Sequence, residues 1–277
     1  MKTIIIPTDF SVTSKNAVQF AAEFAQADGD VKLILFYEYD NISVGSDSSP
    51  VSEDPNSGRI IAETALHNMI AEIVLPQGSG VNIQISAFAG NSFLDSLEHE
   101  IRAQGADLVI MGITEDPNAL DQFLTGSNTL KLVNRQVCPV LIIPATASFK
   151  GWQNVLFAAD YKQGTLATSF TRIQSLLDRY KPFVHIVNVD EMDVQAQEGF
   201  TSQKAILDIF FQDYSHEFYY LRQPDFTKGI NVFVADKSID LIIAIAKDHS
   251  FPSNLFQINH TKQLAYHSSI PVLAVHG

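Results

Sequence analysis

Two aspartates end similar apolar stretches in the two halves of the chain. Asp9 closes the stretch 3–9, and Asp160 closes the stretch 154–160. Apolar stretches of this length are typical of buried strands, and open parallel sheets bind ligands at the carboxyl ends of their strands. Each aspartate could instead cap the helix that follows it, as Ser11 could. For Asp9 both roles stay open, whereas for Asp160 the capping role is favoured.

The other residues able to do chemistry form neither a metal-binding pattern nor a nucleophile motif. Among the eight histidines, His260 and His267 could share one helix face, but two ligands alone do not make a metal site. Ser127, Asp9 and a histidine could be drawn as a triad, yet the chain has no Gly-x-Ser-x-Gly turn to present the serine. We therefore expect no bound metal, no catalytic residue and no enzyme activity.

Composition narrows the range of partners. The 277 residues carry a net charge of −13, and residues 1–147 hold 7 Lys or Arg against 18 Asp or Glu. This charge repels nucleic-acid phosphates and anionic membranes, so neither is an expected partner. The single cysteine, Cys138, excludes an intrachain disulfide and is expected to be buried. The apolar runs are too short to cross a bilayer, and the apolar stretch in the first residues is too short for a signal sequence. The sequence therefore predicts a cytoplasmic protein.

The elements that would position these residues occur twice. Apolar segments of strand length alternate with segments whose apolar residues recur at helical spacing, as at Ala17, Phe20 and Phe24. The predicted strands are 3–9, 31–37, 82–88, 106–112 and 138–143, followed by 154–160, 183–189, 217–221, 239–245 and 270–275. This alternation predicts an α/β fold of two tandem, doubly wound, five-stranded parallel sheets with helices on both faces.

The repeat also predicts how the chain is divided. The two domains are expected to be 1–147 and 148–277. Segment 145–151 is predicted to link them, and segment 41–57, rich in Ser, Asp and Pro, is predicted to be a loop. The last strand of each domain, at 140–143 and 272–275, is apolar and would expose an edge. We expect these two strands to pair and to form an internal pseudo-dimer.

Five segments, taken in their order and spacing, resemble the universal stress protein family in its tandem form. They are Ile4 to Ser11, Gly90 to Ser92, Asp107 to Gly112, Gly126-Ser127 and Cys138 to Ile143. The resemblance implies the adenine nucleotide alpha hydrolase type of fold and a stress-related binding or regulatory role. It also implies that single-copy members dimerise through their last strands, so a further homodimer of this chain is possible.

The resemblance further implies a nucleotide loop. Family members that bind ATP carry G-x2-G-x9-G-[S/T] after the fourth strand. Here Gly112 matches the first position and Gly126-Ser127 the last, with Thr129 as a second hydroxyl, but Glu115 replaces the second glycine and the loop is one residue longer. Together with Glu115, Asp116 and Asp121 place three carboxylates where a triphosphate would lie. The first domain is thus expected to keep a partly degraded site.

Other ligand contacts follow from the same resemblance. Asp9 would face the adenosine, Phe36 and Tyr37 would lie at the adenine, and Gly90 would lie near the ribose and phosphates. In the second domain the motif positions hold Ala244, Lys247 and Asn259-His260 instead of glycines, so no ATP site is expected there.

Three functions remain compatible with the sequence. The first is a binding or regulatory protein with a degraded nucleotide site in the first domain, for ATP, another adenine nucleotide or a small ligand. The second is an ATP-binding switch with slow hydrolysis. The third is a nucleotide-free scaffold whose acidic first half meets a basic partner. Fold class alone does not choose among them.

Overall fold

The structure is a computed structural model of the chain. It describes residues 2–40, 56–78, 80–113, 128–159, 161, 167–190, 195, 199–246, 264 and 267–276. The sites predicted at Glu115, Asp116, Asp121, Gly126, Ser127, Asp160, Lys247 and Asn259-His260, and loop residues 41–55, lie outside these residues.

The first half alternates strands and helices. Its elements are β1 (Thr3–Pro7), α1 (Val12–Asp28), β2 (Lys32–Asp40), α2 (Ser57–Met69), β3 (Asn82–Gly90), α3 (Phe93–Gln104), β4 (Leu108–Gly112), α4 (Asn128–Arg135) and β5 (Val140–Ile143). After α2 the chain continues through a π turn at Ile70–Val74 and a 3-10 turn at Leu75–Gln77. Helix α1 begins where the Ser11 side chain accepts a hydrogen bond from Ser14 N, and it ends at Gly29, whose φ of 77° is left-handed.

The second half repeats this order. Its elements are β6 (Asn154–Ala158), α5 (Ala167–Tyr180), β7 (Phe183–Asp190), α6 (Phe200–Phe211), β8 (His216–Arg222), α7 (Phe226–Lys237), β9 (Leu241–Ala246) and β10 (Val272–His276). None of the helices that the structure describes is long and apolar enough to cross a membrane.

All ten of these strands form one sheet, in the order β3-β2-β1-β4-β5-β10-β9-β6-β7-β8. Each half therefore has the same strand order, and every pair within a half is parallel. The halves meet where β5 and β10 pair antiparallel, with Leu141 opposite Leu273. The predicted α/β fold and the predicted pairing of the last strands are both confirmed.

The central strands are buried on both faces, which explains their nearly continuous apolar sequences, whereas the edge strands β3 and β8 are partly exposed. On β1, Ile4, Ile5 and Ile6 are all fully buried. One core layer lies between the sheet and α1, α2, α5 and α6, and the other lies under α3, α4 and α7. Cys138 is buried as predicted, and burial raises the pKa of its thiol to about 12.

Strand β2 is longer than predicted. The sequence pattern predicts that it stops at residue 37, but β2 pairs with β3 as far as Asp40 opposite Gly90. The polar residues Glu38 and Asp40 break the apolar pattern without ending the strand, because the backbone ladder to β3 continues. Helix α2 begins at Ser57, which the sequence pattern places in the preceding loop.

The connection between the halves is packed against α1. Asn16 Nδ2 donates hydrogen bonds to the carbonyl oxygens of Pro144 and Ala147, and Phe149 N donates to Glu23 Oε2 at 2.8 Å. An aromatic seam then joins the halves, and it consists of Phe20, Phe24, Phe149, Trp152 and Tyr180. The segment predicted as a small polar linker is thus continuous with the core.

Two buried histidines make the fold sensitive to acid. His185 is 5% exposed beside the rings of Phe183, Tyr219 and Phe233, and its Nε2 donates to Asn154 Oδ1. Burial lowers the pKa of His185, and the nearby Lys237 lowers it further against the opposing effect of Glu217. His276 is 2% exposed and donates from Nε2 to the Cys138 carbonyl, and burial likewise lowers its pKa.

We expect stability to fall as the pH drops below about 6.5, the ordinary histidine pKa. Below that pH the unfolded chain binds protons that the buried rings resist, so unfolding is favoured by at most about 1.4 kcal/mol per histidine per pH unit. The lowered pKa values of carboxylates such as Asp95 and Glu98 act in a separate, more acidic window. Urea denaturation at pH 7.5, 6.5 and 5.5 measures this slope.

The variant that tests this prediction is His185→Phe. Phenylalanine should fit among the surrounding rings and remove one proton-binding group, so the slope between pH 7.5 and 5.5 should decrease. An identical slope in the native protein and the variant would contradict the assignment to His185.

Candidate functional site

A crevice is expected between β1 and β4, because the chain leaves these neighbouring strands toward opposite faces of the sheet. Helix α1 packs in one core layer and α4 in the other. In open α/β sheets this change of direction is where ligands bind, at the carboxyl ends of the strands. Asp9 follows β1 and Gly112 ends β4, so these two predicted residues flank the crevice.

The turn after β1 is held by its own side chains. Asp9 Oδ1 accepts hydrogen bonds from Ser11 N at 3.0 Å and from Ser11 Oγ at 2.5 Å. Phe10 has a φ of 63°, unusual for a residue with a side chain, and its N–H donates to Thr8 Oγ1 at 3.0 Å. The residue that caps α1 is Ser11, and not Asp9. Asp9 fixes the turn before the helix and remains exposed.

The Asp9 carboxylate is maintained in its charged form. Partial burial opposes ionisation, but the hydrogen bonds from Ser11, together with those from Ser14 and the backbone, outweigh it and hold the pKa of Asp9 below its usual value. Next to this turn, the ring of Phe10 meets the half-buried ring of Tyr37 edge to face, with 4.8 Å between centroids. The turn therefore presents a fixed anionic acceptor beside an aromatic pair.

Gly112 and Thr129 have structural roles at the end of β4. A Cβ on Gly112 would collide with the backbone carbonyl oxygen of Thr13 in the first turn of α1 and would lie 2.7 Å from the carbonyl carbon. Thr129, only 2% exposed, donates from Oγ1 to the Gly112 carbonyl at 3.2 Å. The glycine is thus required by helix packing, and the Thr129 hydroxyl ties α4 to β4.

The two aromatic residues predicted at the adenine point to opposite faces of β2. Phe36 is fully buried on the α3 side, between Phe88 and Phe93. Tyr37 packs on the α1 side against Phe10. Only Tyr37 lies at the same turn as Asp9.

The lack of a side chain at Gly90 leaves space for the carboxylate of Glu38, a residue that the sequence analysis does not identify as a candidate. A Cβ on Gly90 would lie 2.5 Å from Ser96 Oγ and 2.6 Å from Glu38 Oε2. The signal for Glu38 in the sequence is a single acid within the apolar run of β2, immediately after Tyr37. Gly90 thus provides room for the Glu38 side chain at the carboxyl end of β2 and β3.

In the second half, aromatic rings occupy the corresponding edge. The strand registers place Asn188 where the first half has Tyr37, and its Nδ2 donates to the Ala159 carbonyl. Tyr161 takes the position of Phe10, is 3% exposed, and contacts the rings of Phe200 and Tyr220. Burial raises the pKa of Tyr161. The strand registers place Ile245, and not the predicted Ala244, at the position of Gly112, and Ile245 is buried in β9.

Among the residues that the structure describes, no group of three or more His, Cys, Asp or Glu side chains is arranged to hold a metal ion. The described part of the site therefore offers carboxylates, hydroxyls and aromatic faces as its contacts.

Comparisons with known proteins identify the relatives of this chain. The model of the universal stress protein family matches residues 1–144. A universal stress protein from Archaeoglobus fulgidus DSM 4304 is 14% identical, with a TM-score of 0.71, over 99% of this chain and 98% of that chain. A protein from Pseudomonas aeruginosa UCBPP-PA14, described as a candidate universal stress protein, is 13% identical, with a TM-score of 0.63, over 100% and 93%.

A shorter solved relative, a universal stress protein in complex with cAMP, is 23% identical over 51% of this chain and 96% of its own, with a TM-score of 0.39. The search of curated proteins found no significant match. At these identities the solved structures show the fold alone. Because the family model matches more than half of the residues, the chain belongs to the universal stress protein family.

Proposed function

We propose that this chain is a tandem universal stress protein, a stress-related binding or regulatory protein without catalytic chemistry. Its domains are 1–147 and 148–277, joined as an internal pseudo-dimer through β5 and β10. The first domain binds a small adenine-type ligand at the crevice between β1 and β4, and the second does not. A cytoplasmic location belongs to the same proposal and is supported by a single cysteine that is buried and unpaired.

The observation that carries this proposal is the ordered turn at Asp9. Hydrogen bonds from Ser11 fix an exposed, ionised carboxylate at the crevice between β1 and β4 of the first half. The corresponding edge of the second half is filled by the rings of Tyr161, Phe200 and Tyr220. This difference supports ligand binding in the first domain only. The proposed contacts are Asp9, Tyr37 and the region around Gly90, with Gly126 and Ser127 facing any phosphate.

Charge supports a ligand with few phosphates. Glu115, Asp116 and Asp121 stand in the sequence between Gly112 and Gly126, where a phosphate chain would lie. Two unit charges 4 Å apart repel by about 1 kcal/mol in water and by more where solvent is excluded. Each added phosphate should therefore weaken binding unless a divalent cation bridges it to a carboxylate.

The test is a calorimetric titration of the native protein with adenosine, AMP, ADP and ATP, each with and without Mg2+. cAMP, the ligand of one solved family member, joins the series. We expect affinity in metal-free buffer to fall from AMP to ATP, and Glu115→Gly to raise ATP affinity. Affinity that rises with phosphate count, or ATP copurifying with the protein, would favour the ATP switch. Failure of every ligand to bind would favour the nucleotide-free scaffold.

A pair of substitutions tests whether only the first domain binds. Gly126→Val should abolish binding of the phosphorylated ligands, because a β-branched side chain blocks the approach of backbone amides to phosphate. Asn259→Val, at the matching position of the second domain, should leave binding unchanged. Equal losses from both substitutions would contradict the proposed asymmetry.

A further inference from the structure

The Glu38 carboxylate has a buried oxygen that lacks a partner. Its Oε2 atom is shielded from solvent and accepts no hydrogen bond within the described part of the chain. Gly90 and the buried Ser96 surround it, since both Glu38 Oε2 and Ser96 Oγ approach the point where a Gly90 Cβ would stand. Val189, which takes the equivalent place in the second half, carries no polar group.

An unpartnered buried acceptor is costly to the folded protein. Leaving a buried polar group without a hydrogen-bond partner destabilises the folded protein, and more strongly when the group is charged. Other carboxylates of the first half are paired: Glu98 accepts hydrogen bonds from Arg102 at 2.8 Å and from Arg135 at 3.1 Å. Glu38 is therefore a group whose position is not explained by the packing of the described residues.

The strand registers place Glu38 in line with the proposed site. Pro7 is opposite Phe36 and Thr8 N donates to the Phe36 carbonyl, so the Asp9 turn begins beside the end of β2, where Glu38 follows Tyr37. Ile5 is opposite Val109, so continuing the pairing of β1 and β4 puts Thr8 beside Gly112. Neighbouring strands lie about 4.8 Å apart, and the span from β4 across β1 to β2 is about 10 Å. That span matches the length of a nucleoside.

We infer that Glu38 is a ligand contact of the first domain, accepting a hydrogen bond from a neutral hydroxyl or amino donor on the nucleoside part of the ligand. This inference rests on the proposed function. The chemistry follows from the group: an ionised carboxylate only accepts hydrogen bonds, and it repels phosphate. Glu38 thus selects for the uncharged part of the ligand at β2 and turns the phosphates toward β4.

The binding test compares adenosine with two analogues on the native protein and on Glu38→Gln. The analogue 2′,3′-dideoxyadenosine lacks the 2′ and 3′ hydroxyls of the ribose, and purine ribonucleoside lacks the amino group. A hydrogen bond to a charged group is worth enough that losing the donor facing Glu38 should weaken native binding by about tenfold or more. The same analogue should weaken binding to Glu38→Gln by much less, and which analogue does so identifies the donor.

Equal losses in the native protein and the variant, or no loss with either analogue, would overturn the inference. If neither analogue weakened binding, the partner of Glu38 would be an ordered water and not the ligand. If adenosine binds natively and Glu38→Gln changes nothing, only this inference fails. If the native protein binds none of the adenine ligands, the proposed function fails and the inference falls with it.

A stability measurement adds an arm that needs no ligand. Glu38→Gln should keep or raise the denaturant midpoint, because it replaces a carboxylate whose buried oxygen has no partner among the described residues. Glu98→Gln is the matched control and should lower the midpoint, because it breaks the contacts with Arg102 and Arg135. A loss for Glu38→Gln as large as the loss for Glu98→Gln would show a structural partner for Glu38 and overturn the inference.

Discussion

Trp152→Ala should lower the free energy of unfolding by about 3 to 5 kcal/mol, a large part of what holds a typical domain folded. Trp152 is 3% exposed, and its ring centroid lies 5.3 Å from Phe24 in α1 and 5.0 Å from Tyr180 in α5. Alanine would leave a cavity in the aromatic seam, between rings that belong to different halves. Urea denaturation followed by circular dichroism measures the loss.

The control for this prediction is Trp152→Phe, which keeps an aromatic ring in the seam and should lose much less stability. Since Trp152 is the single tryptophan of the chain, its fluorescence reports on the seam directly. In the native protein the change in fluorescence should coincide with the change in circular dichroism. A loss below about 1 kcal/mol for the alanine variant would show that the seam does not hold the halves together.

Gly112→Val should destabilise the protein by about 2 to 3 kcal/mol, through overpacking instead of a cavity. The new Cβ would meet the carbonyl of Thr13, which is backbone and cannot move without shifting the first turn of α1. That turn begins at Ser11, whose hydrogen bonds orient Asp9, so ligand affinity should fall together with stability. Chemical denaturation and adenosine titration of the same variant measure both effects.

Gly80→Ala is the matched control. A Cβ at Gly80 would meet only Gln26 Oε1, at an ordinary contact distance of 3.6 Å. This variant should stay within about 0.5 kcal/mol of the native protein and keep its ligand affinity. If Gly112→Val were equally mild, the close approach of α1 to β4 would not be needed for folding or for orienting Asp9.

The core strands could be predicted from sequence because their residues are apolar almost without interruption. Leu108 to Met111 and Val140 to Ile143 are buried on both sides, so every position carries the same signal. The end of β2 could not be placed in this way, since Glu38 and Asp40 are polar and only the ladder to β3 extends the strand. Pattern reasoning locates cores better than it locates the ends of strands.

The candidate site was predictable only in part. The position of Asp9 follows from its place at a strand end, and the alternation along a strand implies that Phe36 and Tyr37 face opposite ways. The reason for Gly112 is a contact with α1, and the reason for Gly90 is the Glu38 carboxylate together with Ser96. Contacts between elements distant in sequence leave no local pattern, so these roles needed the three-dimensional structure.

The antiparallel meeting of β5 and β10 has a geometric consequence. Because every other strand is parallel to its neighbours within its half, the carboxyl ends of the first five strands and those of the last five point in opposite directions. The Asp9 turn and the ring-filled edge near Tyr161 therefore lie at opposite poles of one sheet. A molecule bound at the first pole does not reach the second directly, and any influence between them must travel along the strands and across their shared central pair.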